Sequence, residues 1–400
     1  MSRTYENLTD IENQTDTENP HQQTAAQLPK SLSESTLEDA LALADIRING
    51  DRPWDLIIKD RRTIKRSLAY GNLGLGESYM AGWVDIPAID QFIDRVLRAR
   101  LDERVGHSIH VKAHALMARI FNHQSPVRAW QVGQRHYDLG NDFYRDMLDH
   151  RMTYTCGLWE NAHNLDEAQE AKLDLICRKL ELKPGERVLD IGCGWGSFMR
   201  FAAERYGVEC VGLTISKEQT KLGEELCAGL PVTFRLQDYR DTNDTFDKIV
   251  SIGMFEHVGH KNYATYMNMV QRCLKPDGLF LLHTIASSDM NPTPDEWIDK
   301  YIFPNGEIPS FGQIIGATTG RFVVEDMHNF GADYDRTLMA WHDNFSRSWS
   351  KYAQKYGATF ERMWRYYLLS CAGTFRARRT HLLQLVLSPA GVVGGYRRPA

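Results

Sequence analysis

The spacing of apolar residues changes along the chain. From about Leu37 to Phe121 they recur at helical intervals, as in "TIKRSLAYGNLGLGESYMAGW" and "AIDQFIDRVLRARLDE", with a glycine-rich break from Gly71 to Gly76. From about Arg187 short apolar runs alternate with helical stretches. The runs are "RVLDI", "ECVGLTI", "VTFRL", "FDKIVSI" and "GLFLLHTI", and "HLLQLVLS" follows near the end. This alternation predicts an α/β fold with a parallel sheet covered on both faces.

The same pattern divides the chain into four stretches. Residues 1–35 are polar and poor in branched apolar residues, so we expect a flexible tail. Residues 36–121 are expected to form a small helical N-terminal domain. Residues 122–130 are interpreted as a linker, because Pro126 disfavours a helical conformation at Ser125. Residues 131–400 are expected to form the larger domain that contains the sheet.

Composition excludes several classes of protein. The formal net charge of −5 argues against a general nucleic-acid binder. No apolar run reaches the roughly 18 residues of a membrane-spanning helix, and the N-terminus lacks the features of a secretory signal, so we expect a cytoplasmic protein. The seven cysteines contain no C-x-x-C pair, which fits neither a disulfide framework nor a zinc site. We expect reduced thiols and no bound metal.

The stretch "RVLDIGCGWGSF" carries the first candidate site. In an open α/β sheet, ligands bind at the carboxyl ends of strands, and glycines there let the backbone approach a ligand closely. Gly192, Gly194 and Gly196 follow a strand in this way, and Asp190 ends that strand where its carboxylate can face a cationic ligand. The spacing G-x-G-x-G departs from the dinucleotide fingerprint G-x-G-x-x-G, which disfavours a nicotinamide cofactor.

This block, together with "VGLTISKEQ", resembles the S-adenosylmethionine-binding core of class I methyltransferases. The resemblance implies a Rossmann-like, mostly parallel seven-stranded sheet. One departure concerns the end of the second strand, where most such enzymes carry an acidic residue that holds the ribose hydroxyls. This chain has Thr214 and Ser216 there, and Gln219 is our candidate for the sugar contact. A solvated position on a helix is the alternative for Gln219.

The segment "HYDLGNDFYRDMLDHRMTYTCGLWE" collects aromatic residues around one thiol, Cys156. Alone, it is equally explained by core packing, because aromatic residues at helical spacing and single cysteines are mostly structural. The segment resembles the signature of the cyclopropane-fatty-acyl-phospholipid synthases, and so do "SIGMFEHVGHKNY", "LFLLHTIA", "NFGADYDRTLMAWHDNF" and "LLSCAGTFRARR". The resemblance runs from about Thr63 to Pro389.

The resemblance implies an activity. Such an enzyme transfers a methylene unit from S-adenosylmethionine to the cis double bond of an acyl chain in a membrane phospholipid, through a carbocation that aromatic faces can stabilise. A bound bicarbonate is the implied base. Its implied ligands are Cys156, Glu256, His283 and Tyr334, with backbone groups of Gly253 and Ile285. Cys371 also lies in a family motif, and its role is either catalytic or helix packing. The implied cofactor contacts are Tyr137, Tyr154, Thr155, Asp190, Gly192, Gly194, Gly196, Thr214 and Gln219.

The substrate implied by the resemblance lies in a membrane. Two basic clusters, "KDRRTIKR" in the helical domain and "FRARR" near the end, are candidates for docking at an anionic lipid surface, with a solvated face as the alternative. We therefore expect peripheral association with the inner face of the cell membrane. The resemblance also suggests a homodimer.

Three other functions fit parts of the sequence. An N-methyltransferase for a small amine would share the fold and much of the aromatic pocket, but it has less need of a thiol, a histidine and a tyrosine converging on an anion. A non-catalytic S-adenosylmethionine-binding module predicts a disrupted glycine turn, whereas the turn here is intact. A nicotinamide oxidoreductase is disfavoured by the glycine spacing.

Overall fold

The structure is a computed structural model, and it describes residues 32–101, 139–290 and 292–399. The expected linker with Pro126, the first 31 residues of the expected tail, residues 102–121 of the expected helical domain and the candidate Tyr137 lie outside these ranges. No helix in the described ranges is long and apolar enough to cross a membrane.

The described chain forms two compact units. The helical unit comprises residues 32–101, 295–304 and 349–377, and the sheet unit comprises the remaining described residues. The elements of the helical unit are α1 Leu32–Ala42, β1 Ile57–Ile58, α2 Arg62–Met80, β2 Val84–Asp85, α3 Ile89–Arg98, α9 Glu296–Tyr301 and α12 Ala353–Arg376. The helices of the sheet unit are α4 Asn141–Met147, α5 Leu165–Lys179, α6 Ser197–Tyr206, α7 Lys217–Leu226, α8 Tyr263–Cys273, α10 Phe311–Thr318 and α11 Ala332–Ser348.

The sheet unit contains a seven-stranded sheet. Its strands are β3 Arg187–Ile191, β4 Glu209–Thr214, β5 Val232–Leu236, β6 Phe246–Ile252, β7 Leu274–Ser287, β8 Val323–Asn329 and β9 Thr380–Ser388. Their order is β5-β4-β3-β6-β7-β9-β8, and the first five are parallel. Strand β9 lies antiparallel between β7 and β8. The mostly parallel, seven-stranded α/β fold that the sequence predicted is confirmed.

Both faces of the sheet are covered, as predicted. Successive residues of one strand belong to different cores: Leu189 packs in one apolar cluster and Val188 in the other. Ile249 and Val250 divide in the same way. Because both faces are buried, these strands consist of continuous apolar runs, which is why they were predictable. Strand β8 was not predicted. Its sequence "VVEDMHN" is polar and mostly exposed, so it has no such run.

The helical unit is discontinuous in sequence, which differs from the division at residues 122–130. It includes α9 and α12, whose residues we had assigned to the larger domain. Glycine contacts explain the close packing: a Cβ on Gly76 of α2 would lie 2.5 Å from Cδ1 of Trp297 in α9. A Cβ on Gly373 of α12 would lie 2.5 Å from the carbonyl oxygen of Asp90 in α3.

The sequence predicted a helix break from Gly71 to Gly76, whereas the structure interrupts the helix at Gly71 only. Gly71 has φ 55° and ψ −128° and kinks α2, whereas Gly74 and Gly76 continue the helix beyond it. Only glycine adopts this backbone conformation without strain, so the break lies at Gly71 alone.

Candidate active site

The glycine turn joins β3 to α6 at the carboxyl edge of the sheet. Gly192, Gly194 and Gly196 have φ values of 82°, 56° and 84°. The N–H groups of Gly192 and Cys193 each donate to the carbonyl of Leu213, 3.0 Å away, which fixes the turn against β4. A Cβ on Gly192 or Gly196 would meet protein within 2.6 Å, but one on Gly194 would meet nothing within 4 Å. The turn therefore exposes its backbone to open space at Gly194, as a cradle for a ligand requires.

Asp190 adds an unpaired acid beside the turn. Its side chain is buried, and its Oδ1 has no hydrogen-bond partner among the described residues. Burial raises the pKa of this carboxyl to about 7, and the positive charge of Lys172 opposes that shift. A buried carboxylate without a partner is costly, so a cationic ligand at this position would relieve a local penalty.

At the end of β4, the side chains of Thr214 and Ser216 form hydrogen bonds with Gln219 in the first turn of α7. The Thr214 hydroxyl donates to Oε1 of Gln219 over 2.8 Å, and the Ser216 Oγ accepts the Gln219 backbone N–H at the start of α7. Gln219 is buried, so the alternative of a solvated helix position is wrong. Its side chain is held at the strand end that we expected to face a ribose.

Residues 154–156 run past the ends of these strands. The Thr155 carbonyl accepts a hydrogen bond from Nε2 of Gln169 over 2.7 Å, and the Thr155 Oγ1 accepts one from Nζ of Lys172 over 2.8 Å. A Cβ on Gly253, which follows β6, would lie 2.6 Å from the Thr155 methyl carbon. The expected cofactor segment is thus packed against the strand ends, and α5 supplies the two side chains that hold it.

A chain of aromatic rings connects the glycine turn to Tyr334. Ring centroids are 5.2 Å apart for Trp195 and Tyr144, 5.4 Å for Tyr144 and Tyr154, 5.1 Å for Tyr154 and Trp341, and 6.0 Å for Trp341 and Tyr334. Tyr144 and Tyr154 of the predicted aromatic segment therefore lie between Trp195 of the glycine turn and the two rings that α11 contributes.

Glu256 and His283 form a second group of buried ionisable side chains. Glu256 lies in a short turn after β6, and its Oε1 accepts a hydrogen bond from the N–H of Ile285 over 2.6 Å. The Glu256 Oε2 and the His283 Nε2 are buried and have no hydrogen-bond partner in the described ranges. Burial raises the pKa of Glu256 to about 7. Burial, with Lys172 and Lys179, lowers the pKa of His283 well below its usual value, so this imidazole is neutral.

The N–H groups of Gly253 and Ile285, two residues of the expected anion site, donate to acceptors within the protein. We expected backbone groups of Gly253 and Ile285 to face an anion. In the structure the Gly253 N–H donates to the His283 carbonyl over 2.9 Å, and the Ile285 N–H donates to Glu256. Both N–H groups therefore have acceptors within the protein, because the strand ends and the carboxylate lie within hydrogen-bond distance of them.

Sequence reasoning missed Gln384, which orients His283. Gln384 lies opposite His283 in the pairing of β9 with β7, and its Nε2 is 3.2 Å from the His283 Nδ1. With the amide nitrogen donating, Nδ1 accepts and the neutral ring carries its proton on Nε2. The available signal was one polar residue in the middle of the buried run "HLLQLVLS".

Helix α11 carries Tyr334 and also forms hydrogen bonds with the residues that follow Cys156. Cys156 is fully buried, and burial together with Asp333 raises the pKa of its thiol, so it is protonated. The Thr337 Oγ1 accepts hydrogen bonds from the N–H of Gly157 and the indole N–H of Trp159, over 3.1 and 2.8 Å. Tyr334 is one turn from Thr337 on the same helix and is buried. The structure thus brings the elements of these two candidates together.

The candidate Cys371 belongs to the helical unit, in α12, whereas the other described candidates belong to the sheet unit. Burial raises the pKa of its thiol to about 12. All seven cysteines are free thiols.

The sheet order and the glycine turn, with the buried acid beside it, are those of the class I fold of S-adenosylmethionine-dependent methyltransferases. The cyclopropane synthase MmaA2 from Mycobacterium tuberculosis has a similar structure: 34% identity and a TM-score of 0.61, covering 64% of this chain and 97% of that one. The mycolic acid cyclopropane synthase CmaA1, complexed with SAH and CTAB, gives the same values. Coclaurine N-methyltransferase, at 22% identity with a TM-score of 0.66, covers 78% of this chain and 98% of its own, and shares the fold.

Sequence comparison identifies the family within this fold class to which the chain belongs. A family model described as "Mycolic acid cyclopropane synthetase" matches residues 124–385. The protein named cyclopropane-fatty-acyl-phospholipid synthase in Escherichia coli (strain K12) is 54% identical over 359 residues, which is 90% of this chain and 94% of that protein. A probable fatty acid methyltransferase from Pseudomonas putida is 39% identical over 63% of this chain and 67% of its own. The chain belongs to the mycolic acid cyclopropane synthetase family.

Proposed function

We propose that this enzyme transfers a methylene group from S-adenosylmethionine to the cis double bond of unsaturated acyl chains in membrane phospholipids, forming cyclopropane acyl chains. The observation that carries the proposal is the 54% identity, over 90% of this chain, to the Escherichia coli protein named for that activity. Fold alone cannot carry it, since one fold hosts many reactions.

The residues at the strand ends suit S-adenosylmethionine, which supplies an activated methyl group on a sulfonium. Asp190 offers a buried carboxyl whose Oδ1 has no hydrogen-bond partner among the described residues, and the backbone at Gly194 is open to a close approach. An alkene is a poor nucleophile, so alignment of the two reactants is the main task of the protein. The packing of residues 154–156 against the strand ends supports such alignment.

The aromatic chain suits the next requirement. Transfer of the methyl group to a double bond leaves a carbocation on the acyl chain, and aromatic faces attract positive charge. The rings of Tyr144, Tyr154, Trp195, Trp341 and Tyr334 follow one another at 5.1–6.0 Å between centroids. We assign them the stabilisation of that charge.

Ring closure requires loss of a proton beside an apolar chain. We assign the base to a bicarbonate held by Cys156, Glu256, His283 and Tyr334, which when bound supplies the proton acceptor. Two features support this assignment: within the part of the chain that the structure describes, the His283 Nε2 and the Glu256 Oε2 are buried and have no hydrogen-bond partner. A neutral His283 protonated on Nε2 donates a hydrogen bond to an anion, and Glu256, with a pKa near 7, can accept a proton or hold one.

Product analysis tests the activity. The enzyme is incubated with S-adenosylmethionine and vesicles of unsaturated phospholipid, and the acyl chains are examined by mass spectrometry. We expect a gain of one CH2 per double bond, with saturated vesicles as the control. Methylation of an added small amine with unchanged acyl chains would overturn the proposal and favour an amine methyltransferase.

Depletion of bicarbonate tests the base separately. Degassed, bicarbonate-free enzyme is expected to turn over more slowly, and added bicarbonate is expected to restore the rate while chloride at equal ionic strength does not. A rate indifferent to bicarbonate would remove the anion from the mechanism and leave the methylene transfer itself standing.

We propose that the protein is cytoplasmic and docks reversibly on the inner face of the cell membrane through its basic clusters. We expect the attraction between this cluster and an anionic lipid surface to be weaker than the sequence "KDRRTIKR" suggests. Ion pairs with acidic residues of the helical unit neutralise several of its cations. The pairs are Lys59 with Asp85, Arg62 with Asp60 and Arg66 with Glu77, and in the second cluster Arg376 with Asp90. Lys65 is exposed and has no ion pair among the described residues.

Co-sedimentation with vesicles tests the docking. We expect binding that requires anionic lipid and weakens with salt, since screening acts on exposed charges. Lys65→Glu is expected to weaken it more than Lys217→Glu, which reverses an exposed charge on α7 of the sheet unit. Equal binding to neutral and anionic vesicles at all salt concentrations would overturn electrostatic docking. Sedimentation equilibrium tests the homodimer that the family resemblance suggests.

A further inference from the structure

Lys172 is a buried lysine that the reaction described above does not use. It lies on α5, and its side chain is fully buried. Lysine is almost never fully buried unless it is paired. The only hydrogen bond of its ammonium within the described ranges runs to the Thr155 Oγ1, over 2.8 Å. An ammonium has three N–H donors, so this group is only partly satisfied.

The acids around Lys172 do not complete its hydrogen bonding. Asp149 and Asp190 are the two carboxylates whose charges act on it most strongly, and burial still lowers the pKa of the lysine to about 8. Both oxygens of Asp149 already accept hydrogen bonds, from the backbone of Arg151 and from Thr153. The ammonium is therefore held beside Thr155, and no anionic group among the described residues is hydrogen-bonded to it.

The hydrogen bond from Lys172 determines whether the Thr155 hydroxyl acts as a donor or as an acceptor toward other groups. An ammonium only donates, so the Thr155 oxygen must accept from it, and the hydroxyl proton is left to point elsewhere. The Thr155 oxygen is held in place, because the Thr155 carbonyl is bonded to Gln169 and the methyl carbon packs beside Gly253. A hydroxyl that is left to donate, with a positive charge behind it, is a binding group for an anion.

The cofactor proposed for this site carries such an anion. S-adenosylmethionine ends in an amino acid, with an ammonium and a carboxylate, besides its cationic sulfonium. The Asp190 carboxylate would attract the cationic ammonium and sulfonium groups. We propose that Lys172 is a positioning residue for the carboxylate: it commits the Thr155 hydroxyl to donate to that carboxylate and adds a buried positive charge behind the bond. This inference rests on S-adenosylmethionine being the cosubstrate.

The test compares two ligands by calorimetric titration. One is S-adenosylhomocysteine, and the other is its decarboxylated analogue, which keeps the adenosine, the sulfur and the amine. Wild-type protein is expected to prefer the first. Lys172→Met keeps the length of the side chain and removes the charge, so we expect about 10-fold to 100-fold weaker binding of S-adenosylhomocysteine and little change for the analogue, the range typical of a lost hydrogen bond to a charged group.

Lys179→Met is the matched control. Lys179 lies on the same helix and is also fully buried, but it pairs with Asp326 over 3.1 Å. The control is expected to leave the ratio of the two affinities unchanged. Thr155→Val should produce the same selective loss as Lys172→Met, and the double variant should lose no more than either single one, since both act on one contact.

An equal loss for both ligands, or no loss for either, would assign Lys172 a structural part and overturn the inference. If Lys172→Met does not fold, Thr155→Val decides by the same criterion. Failure of wild-type protein to bind S-adenosylhomocysteine at all would instead contradict the proposed function, so the two failures are distinguishable.

Discussion

Two buried aspartates, one in each unit, behave in opposite ways. Asp55 in the helical unit accepts hydrogen bonds from the Arg52 side chain and from the backbone N–H groups of Arg47 and Arg52. The Arg52 side chain is the main reason that its pKa falls to about 2. Asp190 in the sheet unit has one oxygen without a hydrogen-bond partner among the residues that the structure describes, and burial raises its pKa to about 7.

The same contrast holds for the glutamates of the two units. Glu77 in the helical unit accepts hydrogen bonds from Lys300 and Tyr301 and pairs with Arg66. Glu256 in the sheet unit leaves Oε2 without a partner in the described ranges. Paired buried acids hold a fold together, whereas unpaired ones destabilise it and are retained where they act on a ligand. The comparison therefore separates acids that serve stability from acids to which we assign a part in the proposed reaction.

The largest expected effect is on turnover. Glu256→Gln should reduce the rate of cyclopropane formation by up to about 100-fold to 10,000-fold, the range for loss of a general base, because the variant weakens the site that holds the proposed base, while the affinity for S-adenosylhomocysteine changes little. Its thermal stability should be equal to or above that of the wild type, because the variant removes a buried acid with an unpaired oxygen. Glu218→Gln, an exposed position on α7, is the control. A near-normal rate for Glu256→Gln would leave Glu256 a structural part only.

Asp55→Asn should lower stability and leave ligand affinity and turnover per folded molecule unchanged, which is the reverse of the result expected for Glu256→Gln. The change removes the negative charge and replaces one acceptor oxygen with an NH2 donor that faces Arg52, so we expect a loss of about 1.5–3 kcal/mol in the free energy of unfolding. Denaturant titration measures that loss. The affinity for S-adenosylhomocysteine should stay at the wild-type value, and a fall in affinity that exceeds the loss of folded protein would contradict the division between the two groups of acids.

Two glycines provide a closer comparison. Gly71 and Gly194 have φ values of 55° and 56°, and a Cβ on either would meet no atom within 4 Å. Alanine at either position should cost about 1–2 kcal/mol of stability, because side chains are strained in the left-handed region. Only Gly194→Ala should also weaken binding of S-adenosylhomocysteine, since its Cβ enters the space beside the turn. Equal affinities in the two variants would remove the glycine turn from the binding site.

The pH dependence of stability gives the smallest change when it is taken per pH unit. The folded ligand-free protein holds a proton on Asp190 up to about pH 7, whereas the unfolded chain releases it near 3.8, so the folded state binds more protons in between. Stability from this group is present at low pH and falls as pH rises toward 7, by at most about 1.4 kcal/mol per pH unit. Asp190→Asn should flatten the profile between pH 4 and 7. For Asp55 the sign is opposite: stability is lost as pH falls below 3.8 toward 2.

The sequence by itself determined much of the sheet unit. The buried strands appeared as apolar runs because both of their faces are covered, and the glycine turn appeared because three residues must adopt positive φ within five positions. Both features are local, so a short window of sequence contains their cause. Motif resemblance then gathered the candidate side chains from distant parts of the chain.

Tertiary structure alone decided the partners of those side chains. Gln384 orients His283 across 101 residues, and Thr337 holds Gly157 across 180. The assignment of α9 and α12 to the helical unit and the exposed strand β8 were likewise absent from the local pattern. Lys172 looked like one more charged residue on a helix, and only its burial beside Thr155 distinguishes it. Burial and pairing depend on which elements pack together, and hydrophobic periodicity records which face of an element is buried but not what lies against it.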